Sequence, residues 1–332
     1  MNKELRQKSL GVSFSGGGVQ AWAEVAAYAE LERQGIEIDA VAGTSMGSFI
    51  AAAIASGLTS EEVYQIIQDT DHAIVESSIF GRQAFFSLFS FRQPMGLVLM
   101  EKLAEVIRPV SKIYGEVMLS DVPKPLAIPA VDIIQNKMII FSNQPEYFKQ
   151  VYENAEFYDG DISLVKACLA SSAYPVILSP VEVEGYQLID GGVLMNSPAA
   201  LFSKVKIEYI LELRLPQFKN VEPAGKRMDV ALRAIGIMVA NQENKFKEIS
   251  DQQYYLDVNV PGIFEFGDSE PIIEAGKKFV SENPIDVTDM YEEIEREPEQ
   301  EGVSDVKIIL EEPASFSERL ADYWDKLKTK FN

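Results

Sequence analysis

Twice within the first 57 residues, the apolar and polar positions pass from a strand-like to a helix-like pattern. The run LGVSFSGGGVQAWAEVAAYAELERQG passes from alternating apolar residues through three glycines into a helical pattern ending at Gly35, which predicts strand, tight loop and helix. The same order then returns: IEIDAVA predicts a short strand, GTSMGS a turn, and MGSFIAAAIASG a buried, alanine-rich helix that ends at Gly57. Two such units in succession imply right-handed crossovers, and therefore a parallel sheet covered on both faces.

The later patterns extend this arrangement. They first predict a helix over 59–80, capped by Thr59 or Ser60, and then two strands in PLAIPAVDIIQNKMIIFSN joined at Gln135-Asn136-Lys137. DISLVKACLASSA predicts a helix stopped by Pro175. The strands YQLID and IEYILELRL and a helix over 227–249 follow. The chain is therefore expected to be an α/β protein with a mixed or mostly parallel sheet.

The character of the chain changes beyond residue 283. Residues 284–302 hold eight acidic side chains against one arginine, which predicts an acidic linker or loop. DVKIILEEP could return as an edge strand, and residues 315–332 predict an amphipathic helix. Its apolar face comprises Phe316, Leu320, Trp324, Leu327 and Phe331. We expect a main domain over 1–283, the linker over 284–302, and over 303–332 a strand and helix docked on that domain, a reversible partner contact being the alternative.

Composition excludes several functional classes. The 332 residues carry a net charge of −21, which disfavours nucleic-acid binding and permanent docking on anionic lipid through a polybasic patch. A single cysteine, Cys168, allows no internal disulfide and indicates a reduced, cytoplasmic setting. One histidine and one cysteine cannot supply a zinc site, so we expect no metal, and no organic cofactor is implied.

Neither the first residues nor the most apolar window predicts a targeting or membrane segment. MNKELRQKSL is charged and lacks the apolar stretch of a secretory signal. Residues 40–60 are uncharged, but their glycines and hydroxyls make them too polar to span a bilayer. We therefore expect a soluble protein.

Candidate chemistry begins with a G-x-S-x-G pattern in which Gly43 and Gly47 flank Ser45. Between a strand and a helix of small residues, this pattern is the turn that lifts a nucleophilic serine above a sheet. The glycines let the turn close without Cβ clashes. The alternative is that Ser45 or Thr44 is an ordinary helix N-cap.

The triple glycine Gly16-Gly17-Gly18 ends the preceding strand and opens a helix, so its N–H groups can form an anion cradle. A dinucleotide loop and an oxyanion hole are both conceivable. The spacing is not G-x-G-x-x-G, and no acidic residue follows at the ribose position. An oxyanion hole formed by Gly17 and Gly18, with the N–H of Met46, therefore fits better.

A nucleophilic serine needs a base. His72 is the single histidine, but it lies on a predicted helix remote from any strand end, and its order in the chain is wrong for an α/β-hydrolase. Asp190 ends a predicted strand and precedes Gly191-Gly192, so its carboxylate can reach across the C-terminal edge of the sheet. Burial and contact with the serine hydroxyl would make it a base, which favours Asp190 over His72.

Three segments together resemble the patatin-like phospholipase family: SGGGVQAWAEV, GTSMGS and SSAYPVILSPVEVEGYQLIDGGVLMNSPA. They match the family's Gly-rich loop, its G-x-S-x-G and its D-G-G or D-G-A block in order and spacing, across residues 11–200. The resemblance implies a three-layer α/β/α fold with a mostly parallel sheet, and a lipid acyl hydrolase with a Ser-Asp dyad. Ser45 would then be the nucleophile, Asp190 the base, and Gly16, Gly17 and Gly18 the oxyanion loop.

The match departs at Gln20, where the family usually has Arg or Lys. Gln20 offers no fixed positive charge for an oxyanion or an anionic head group.

An aromatic cluster follows the second predicted helix. It comprises Phe80, Phe85, Phe86, Phe89 and Phe91, flanked by Arg82 and Arg92. These rings either pack in the core or form the wall of an acyl-chain pocket or an apolar lid. The arginines could contact a phosphate or solvent.

We therefore expect a serine hydrolase of phospholipid or lysophospholipid esters that works through an acyl-enzyme. Its partners would be a lipid or acyl-ester substrate and, transiently, a membrane surface; no oligomeric state is indicated. The alternatives are a general carboxylesterase, a Ser-His acyltransferase, and a weakly active or non-catalytic lipid-binding protein.

Overall fold

A computed structural model describes residues 3–80, 96–216, 227–243, 249–258, 262 and 264–295. Within these ranges the strands are β1 (Lys3–Gln7), β2 (Leu10–Phe14), β3 (Ala40–Gly43), β4 (Leu126–Asp132), β5 (Lys137–Ser142), β6 (Ala155–Phe157), β7 (Val181–Val183), β8 (Tyr186–Asp190), β9 (Tyr209–Arg214), β10 (Gln252–Tyr255) and β11 (Tyr291–Glu295). The α-helices are α1 (Val25–Arg33), α2 (Met46–Ala55), α3 (Ser60–Ser77), α4 (Met100–Ile107), α5 (Lys112–Gly115), α6 (Leu164–Ser171), α7 (Arg227–Glu243) and α8 (Ser269–Glu282).

One mixed sheet organises the described part of the chain. Its order is β10-β9-β2-β3-β4-β5-β6, with β8 also paired to β4 and β7 paired to β8. The strands from β10 to β4 are all parallel, whereas β5 and β8 are antiparallel to β4. Every residue of β2, β3, β4 and β9 is buried, as near-continuous apolar runs predict for strands covered on both faces. The predicted α/β fold with a mostly parallel sheet is confirmed.

Helices cover both sides of the sheet, but in different ways. The buried helix α2 packs along β3 on one side. On the other side, the alternate residues Ala40 and Ala42 join a hydrophobic cluster with Ala127, Ile210 and the short 3-10 helix Pro198–Leu201. The alternation along β3 therefore directs small side chains into two separate layers.

Local differences from the sequence predictions have physical causes. The helix after the glycines begins as a 3-10 helix over Gly18–Glu24 and becomes α-helical only at Val25. The strand predicted for IEIDAVA is confined to β3, because the backbone of Glu37 exchanges hydrogen bonds with the Gln7 side chain instead of a neighbouring strand. The cap predicted for the next helix is confirmed: Thr59 forms a capping box with Glu62.

The two strands that end at GTSMG and at DGG, β3 and β8, both pair with β4. β3 pairs with β4 at Leu126 and Ala127, and β8 pairs with β4 from Ala130 to Asp132, running in the opposite direction. The ends of β3 and β8 therefore point towards each other along one edge of β4. Pro129, which has no N–H to give to a ladder, stands where β4 changes partner.

The chain divides into two compact units, residues 7–291 and residues 1–6 with 292–332. In the smaller unit, β1 and β11 form a two-stranded sheet in which Arg6 binds Glu292. The stretch predicted as an acidic linker is irregular over 284–287 and then contains a 3-10 helix, Thr288–Met290, and the strand β11. The strand and helix predicted for 303–332 lie outside the described residues.

Candidate active site

The turn after β3 holds Ser45 in an uncommon backbone conformation. Its φ is 53° and its ψ is −128°. A non-glycine residue held at positive φ costs on the order of 1–3 kcal/mol, and such strain is characteristic of a serine on a strand-to-helix elbow. Ser45 occupies the N-cap position of α2, but its hydroxyl makes no capping hydrogen bond. The side chain is therefore directed to another partner.

Gly43 and Gly47 bring the turn into close contact with its neighbours. A Cβ atom at Gly43 would lie 2.3 Å from the carbonyl oxygen of Gly47, and one at Gly47 would lie 2.5 Å from that of Ser15. Any larger residue would push α2 away from β2 or β3. The G-x-S-x-G spacing thus reflects backbone contact on both sides of Ser45.

The partner of Ser45 is Asp190, at the end of β8. Ser45 Oγ donates a 2.7 Å hydrogen bond to Asp190 Oδ2. The N–H of Gly192 donates to Asp190 Oδ1, also at 2.7 Å. A Cβ atom at Gly191 would lie 2.2 Å from the carbonyl oxygen of Pro129, so only glycine lets β8 end this close to β4. The convergence of β3 and β8 on β4 brings the two side chains together across 145 residues of sequence.

Asp190 is only 3% exposed, and this burial controls its acidity. Burial raises the pKa of Asp190 to about 6, while the hydrogen bonds from Ser45 and Gly192 favour the charged form and act in the opposite direction. The carboxylate is therefore ionised at neutral pH, yet it is more basic than an exposed aspartate. These are the properties that a general base requires.

The glycine loop lies beside the same pair, but its three residues differ. The N–H of Gly16 donates to the carbonyl oxygen of Asn196 at 2.9 Å, and Asn196 Nδ2 donates back to the Gly16 carbonyl oxygen at 3.1 Å. Gly16 is thus engaged and is not a free oxyanion donor, in contrast to the role predicted for it. Gly17 is the N-cap of the 3-10 helix and Gly18 is its first residue, with a φ of 56°. Their N–H groups, like that of Met46 at the start of α2, precede any intrahelical partner.

A cavity of about 520 Å³ opens at this pair. Its volume is within the range of small-molecule sites. The polar end contains Gly16, Gly17, Gly18, Ser45, Met46, Asp190, Gly192 and Asn196. The remaining wall is mostly apolar and includes Trp22, Phe49, Ile50, Val63, Ile67, Ile74, Phe80, Leu103, Ile107, Tyr114, Leu169, Tyr174, Leu178, Leu215, Val258, Phe264 and Phe266. The site therefore joins a hydroxyl–carboxylate pair to an extended apolar chamber.

Of the aromatic cluster predicted as a pocket wall, the structure describes Phe80. Its ring lines the cavity and stacks on Phe266, with centroids 4.8 Å apart. Phe85, Phe86, Phe89 and Phe91 lie outside the described residues, as do Arg82 and Arg92. No pattern in the sequence marks Phe264 and Phe266 as cavity residues, because they belong to a short segment without hydrophobic periodicity.

Charged groups are rare on the cavity wall. Among its described residues, Arg233 on α7 carries the single positive charge, and its guanidinium makes no hydrogen bond or ion pair within the described chain. Gln20 also lines the cavity. His72 is an exposed residue of α3 and does not line it. A signal for Arg233 existed, since it is a basic residue in an otherwise weakly charged helical run.

Two further features of the described residues concern metal binding and membrane insertion. No group of three or more His, Cys, Asp or Glu side chains there could hold a metal ion. No helix in the same ranges is long and apolar enough to cross a bilayer.

A strained serine on a strand-to-helix elbow, bonded to a buried aspartate beside an apolar cavity, is the arrangement expected of a serine hydrolase with an α/β fold. The family model described as patatin-like phospholipase matches residues 12–203, which is more than half of the chain. The chain belongs to the patatin-like phospholipase family, a family of carboxylic ester hydrolases.

Individual relatives match the chain in part. An uncharacterized protein of Bacillus subtilis, YqhO, is 30% identical over 220 residues, which are 63% of this chain and 72% of that protein. A cGAMP-activated phospholipase of Vibrio cholerae is 28% identical over 214 residues, 59% of this chain and 57% of the relative. The chain thus spans little more than half of the Vibrio protein. Among solved structures, VipD from Legionella pneumophila aligns with 87% of this chain and 68% of its own, at 13% identity and a TM-score of 0.47.

Proposed function

We propose that this protein hydrolyses fatty-acyl ester bonds of phospholipids or lysophospholipids through a dyad of Ser45 and Asp190. The observation that carries the proposal is the 2.7 Å hydrogen bond from Ser45 Oγ to Asp190 Oδ2 at the polar end of an apolar cavity. It supplies a nucleophile and a base in direct contact, and the cavity supplies room for an acyl chain.

Acylation begins when Ser45 Oγ attacks the carbonyl carbon of the ester while its proton passes to Asp190 Oδ2. The carbonyl oxygen becomes an oxyanion, which the N–H groups of Gly17, Gly18 and Met46 are suited to bind. One such donor is worth about 3 kcal/mol in the transition state. The tetrahedral intermediate then collapses, the alkoxide of the leaving alcohol takes the proton from Asp190, and the acyl group stays on Ser45.

Deacylation repeats these steps with water. Asp190 removes a proton from a water molecule, and the hydroxide attacks the acyl carbonyl carbon. The same N–H groups stabilise the second oxyanion. Ser45 Oγ leaves and recovers the proton from Asp190, and the free fatty acid departs. Asp190 returns to its carboxylate form, so one cycle consumes one ester and one water.

Two features support a phospholipid over a neutral ester. Arg233 places a positive charge on the cavity wall of a chain whose net charge is −21, and no ion pair with another described residue neutralises it, so a phosphate would find a charge-assisted hydrogen bond there. The Vibrio relative is named a phospholipase. Lipid substrates of this kind reside in membranes or micelles, so transient contact with such a surface in the cytoplasm belongs to the proposal.

The dyad is tested with a soluble p-nitrophenyl ester and with phospholipid vesicles, using Ser45→Ala, Asp190→Asn and His72→Ala. Ser45→Ala should abolish hydrolysis and labelling by a fluorophosphonate. Asp190→Asn should lose about 100-fold or more of kcat, because the amide cannot accept the proton. His72→Ala serves as the control and should retain the activity of the parent protein. An inactive His72→Ala beside an active Asp190→Asn would replace the dyad by a Ser-His acyltransferase mechanism.

The substrate class is tested separately with Arg233→Gln, and Arg108→Gln is the matched control on an exposed part of α4's C-terminal end. Arg233→Gln should lower kcat/KM on phospholipid about 10-fold, since a charge-assisted hydrogen bond contributes about 1.5–3 kcal/mol. Neither variant should change hydrolysis of the neutral p-nitrophenyl ester. Equal effects of Arg233→Gln on both substrates would favour a general carboxylesterase.

A further inference from the structure

The backbone of Ser45 is held by two other serine side chains. The N–H of Ser45 donates to Ser171 Oγ at 3.0 Å, and Ser48 Oγ donates to the Ser45 carbonyl oxygen at 2.6 Å. Both polar groups of the strained peptide at φ 53° therefore have fixed partners. A positive φ at a non-glycine residue persists only where its surroundings hold it, and these hydrogen bonds do so here.

Ser171, the last residue of α6, is completely buried. Its hydroxyl donates to the carbonyl oxygen of Pro129 at 2.6 Å. A serine hydroxyl has a single proton, so this bond determines the orientation of the oxygen lone pairs and aims one at the Ser45 N–H. Ser171 is thus a one-residue bridge from the nucleophile's backbone to strand β4.

The Pro129 carbonyl group, which accepts the hydrogen bond from Ser171, also lies against the turn that follows Asp190. β8 ends beside it, with Asp190 opposite Ala130 and with Gly191 packed against the same Pro129 carbonyl group. Ser171 therefore ties the backbone of Ser45 to the point of β4 on which the Asp190 turn rests. It also occupies the N–H of the nucleophile, so the oxyanion donors must be other N–H groups.

We propose that Ser171 is a positioning residue for the acylation step, acting through the backbone of Ser45. This inference rests on the proposed function, because it needs Ser45 as nucleophile. Without the Ser171 hydroxyl, the elbow can relax and Ser45 Oγ moves relative to both Asp190 and the substrate carbonyl. The acyl cavity keeps its wall, so binding of substrate is preserved while attack slows.

The test compares Ser171→Ala with Ser179→Ala. Ser179 is a matched control: it too is buried, and its Oγ accepts a backbone N–H, that of Met100, at 3.0 Å. Both variants remove a buried acceptor, but Ser179 does not contact the elbow. For each, the experiment measures kcat and KM on a p-nitrophenyl ester, the rate of fluorophosphonate labelling, the pH–rate profile and the Tm.

Ser171→Ala should lower kcat and the labelling rate about 10-fold to 100-fold, the scale expected for a displaced reacting group. KM should stay unchanged, because Ser171 does not line the cavity. The midpoint of the pH profile should move to higher pH, because a displaced Ser45 hydroxyl no longer favours the charged form of Asp190. Ser179→Ala should lower the Tm but leave kcat and the labelling rate unchanged. Equal rates in the two variants would overturn the proposal.

Should Ser171→Ala fail to fold, Ser171→Cys makes the same comparison, because its sulfur is similar in size but a weak acceptor. An intermediate labelling rate supports the proposal, and a rate equal to the parent's contradicts it. Ser45→Ala distinguishes a failure of the proposed function from a failure of the positioning role of Ser171. If Ser45→Ala retains hydrolysis, the proposed function fails; if it is inactive while Ser171→Ala is unaffected, the positioning role alone fails.

Discussion

β2 and β3 are neighbouring parallel strands, each followed by a turn and a helix, yet their two turns have different chemistry. The turn after β2 consists of glycines and offers backbone N–H groups. The turn after β3 has a side chain at its apex, the hydroxyl of Ser45, in a strained conformation. One repeated unit has thus produced two complementary halves of a site: one suited to stabilise charge, and one suited to form a bond.

The supports of the two turns differ accordingly. On the β2 side, the buried carboxylate of Glu24 accepts hydrogen bonds from the N–H of Ser15 at 3.1–3.2 Å and from the Ser15 hydroxyl, which latches the 3-10 helix to the strand end. On the β3 side, Ser171 and Ser48 hold the peptide of the nucleophile itself. The glycine turn after β2 is thus fixed through Ser15, the residue before its glycines. The turn after β3 is fixed through the backbone of Ser45 itself.

The largest expected effect comes from Gly47→Ala, which would break the contact between the two turns. Its new Cβ would lie 2.5 Å from the Ser15 carbonyl oxygen. We expect a loss of about 100-fold in kcat from misplacement of Ser45, and destabilisation by about 1–3 kcal/mol from overpacking. Ester hydrolysis and urea unfolding measure the two effects. Gly115→Ala is the control, with its Cβ 3.3 Å from the Arg108 carbonyl oxygen; similar kcat values in both variants would contradict the account.

The pH dependence should arise from Asp190, which ends β8 and binds the hydroxyl in the turn after β3, because Asp190 has to be a carboxylate to accept a proton. With its pKa raised to about 6, kcat/KM should reach a plateau above that pH and fall towards tenfold per unit below it. A pH–rate profile on a p-nitrophenyl ester checks this. An acidic limb near pH 4 would indicate that the carboxyl is not buried during catalysis.

The buried charge should also cost stability, in a defined pH range. The pKa of Asp190 is raised from 3.8 to about 6 on folding, so the folded state binds the proton more tightly and stability falls as the pH rises through this interval. Asp190→Asn removes this cost and should raise the free energy of unfolding by about 1–3 kcal/mol at pH 7. The gain should vanish near pH 4.

Asp132→Asn is the matched control for this measurement. The Asp132 carboxylate is equally buried but accepts hydrogen bonds from the backbone N–H groups of Ile134, Gln135 and Gln187. Its replacement should bring no gain. Urea unfolding of the two variants at both pH values decides the matter, and a loss of stability in Asp190→Asn at pH 7 would refute the argument.

The smallest effect is expected on the β2 side from Glu24→Gln. The amide keeps an acceptor for Ser15 but loses the charge that strengthens the latch. The N–H groups of the glycine turn should then be held less firmly at the oxyanion, so kcat should fall roughly 3-fold to 10-fold. KM and the acidic limb should not move, because neither the cavity nor Asp190 changes. A shifted limb would mean that the two turns are not independent.

The sequence predicted those parts of the site that depend on short local patterns. G-T-S-M-G after an apolar strand defines the elbow, and I-D-G-G at a strand end marks Asp190, because each pattern reflects close backbone contact. The fold class followed from two strand–loop–helix units. The 3-10 start after the glycines could not be predicted, since the residues from Val19 to Glu24 fit a helix of either kind.

Other parts of the site depend on long-range register, which the pattern does not contain. Ser171 ends a helix in a run of small polar residues, and only the packing of α6 against β4 brings it to Ser45. Asn196 reaches Gly16 across 180 residues. The engagement of the Gly16 N–H was therefore invisible in the triplet itself, where three glycines look equivalent.

The meeting of β3 and β8 on β4 also sets the point in synthesis at which the proposed dyad can form. The elbow that carries Ser45 is built from β3 and α2, but its hydrogen-bond partner Asp190 lies 145 residues later in the chain. A nascent chain therefore carries Ser45 without its proposed base until β8 has joined β4. If the two residues act as proposed, hydrolysis of membrane lipid cannot begin until the chain has been synthesised past β8 and this strand has paired with β4.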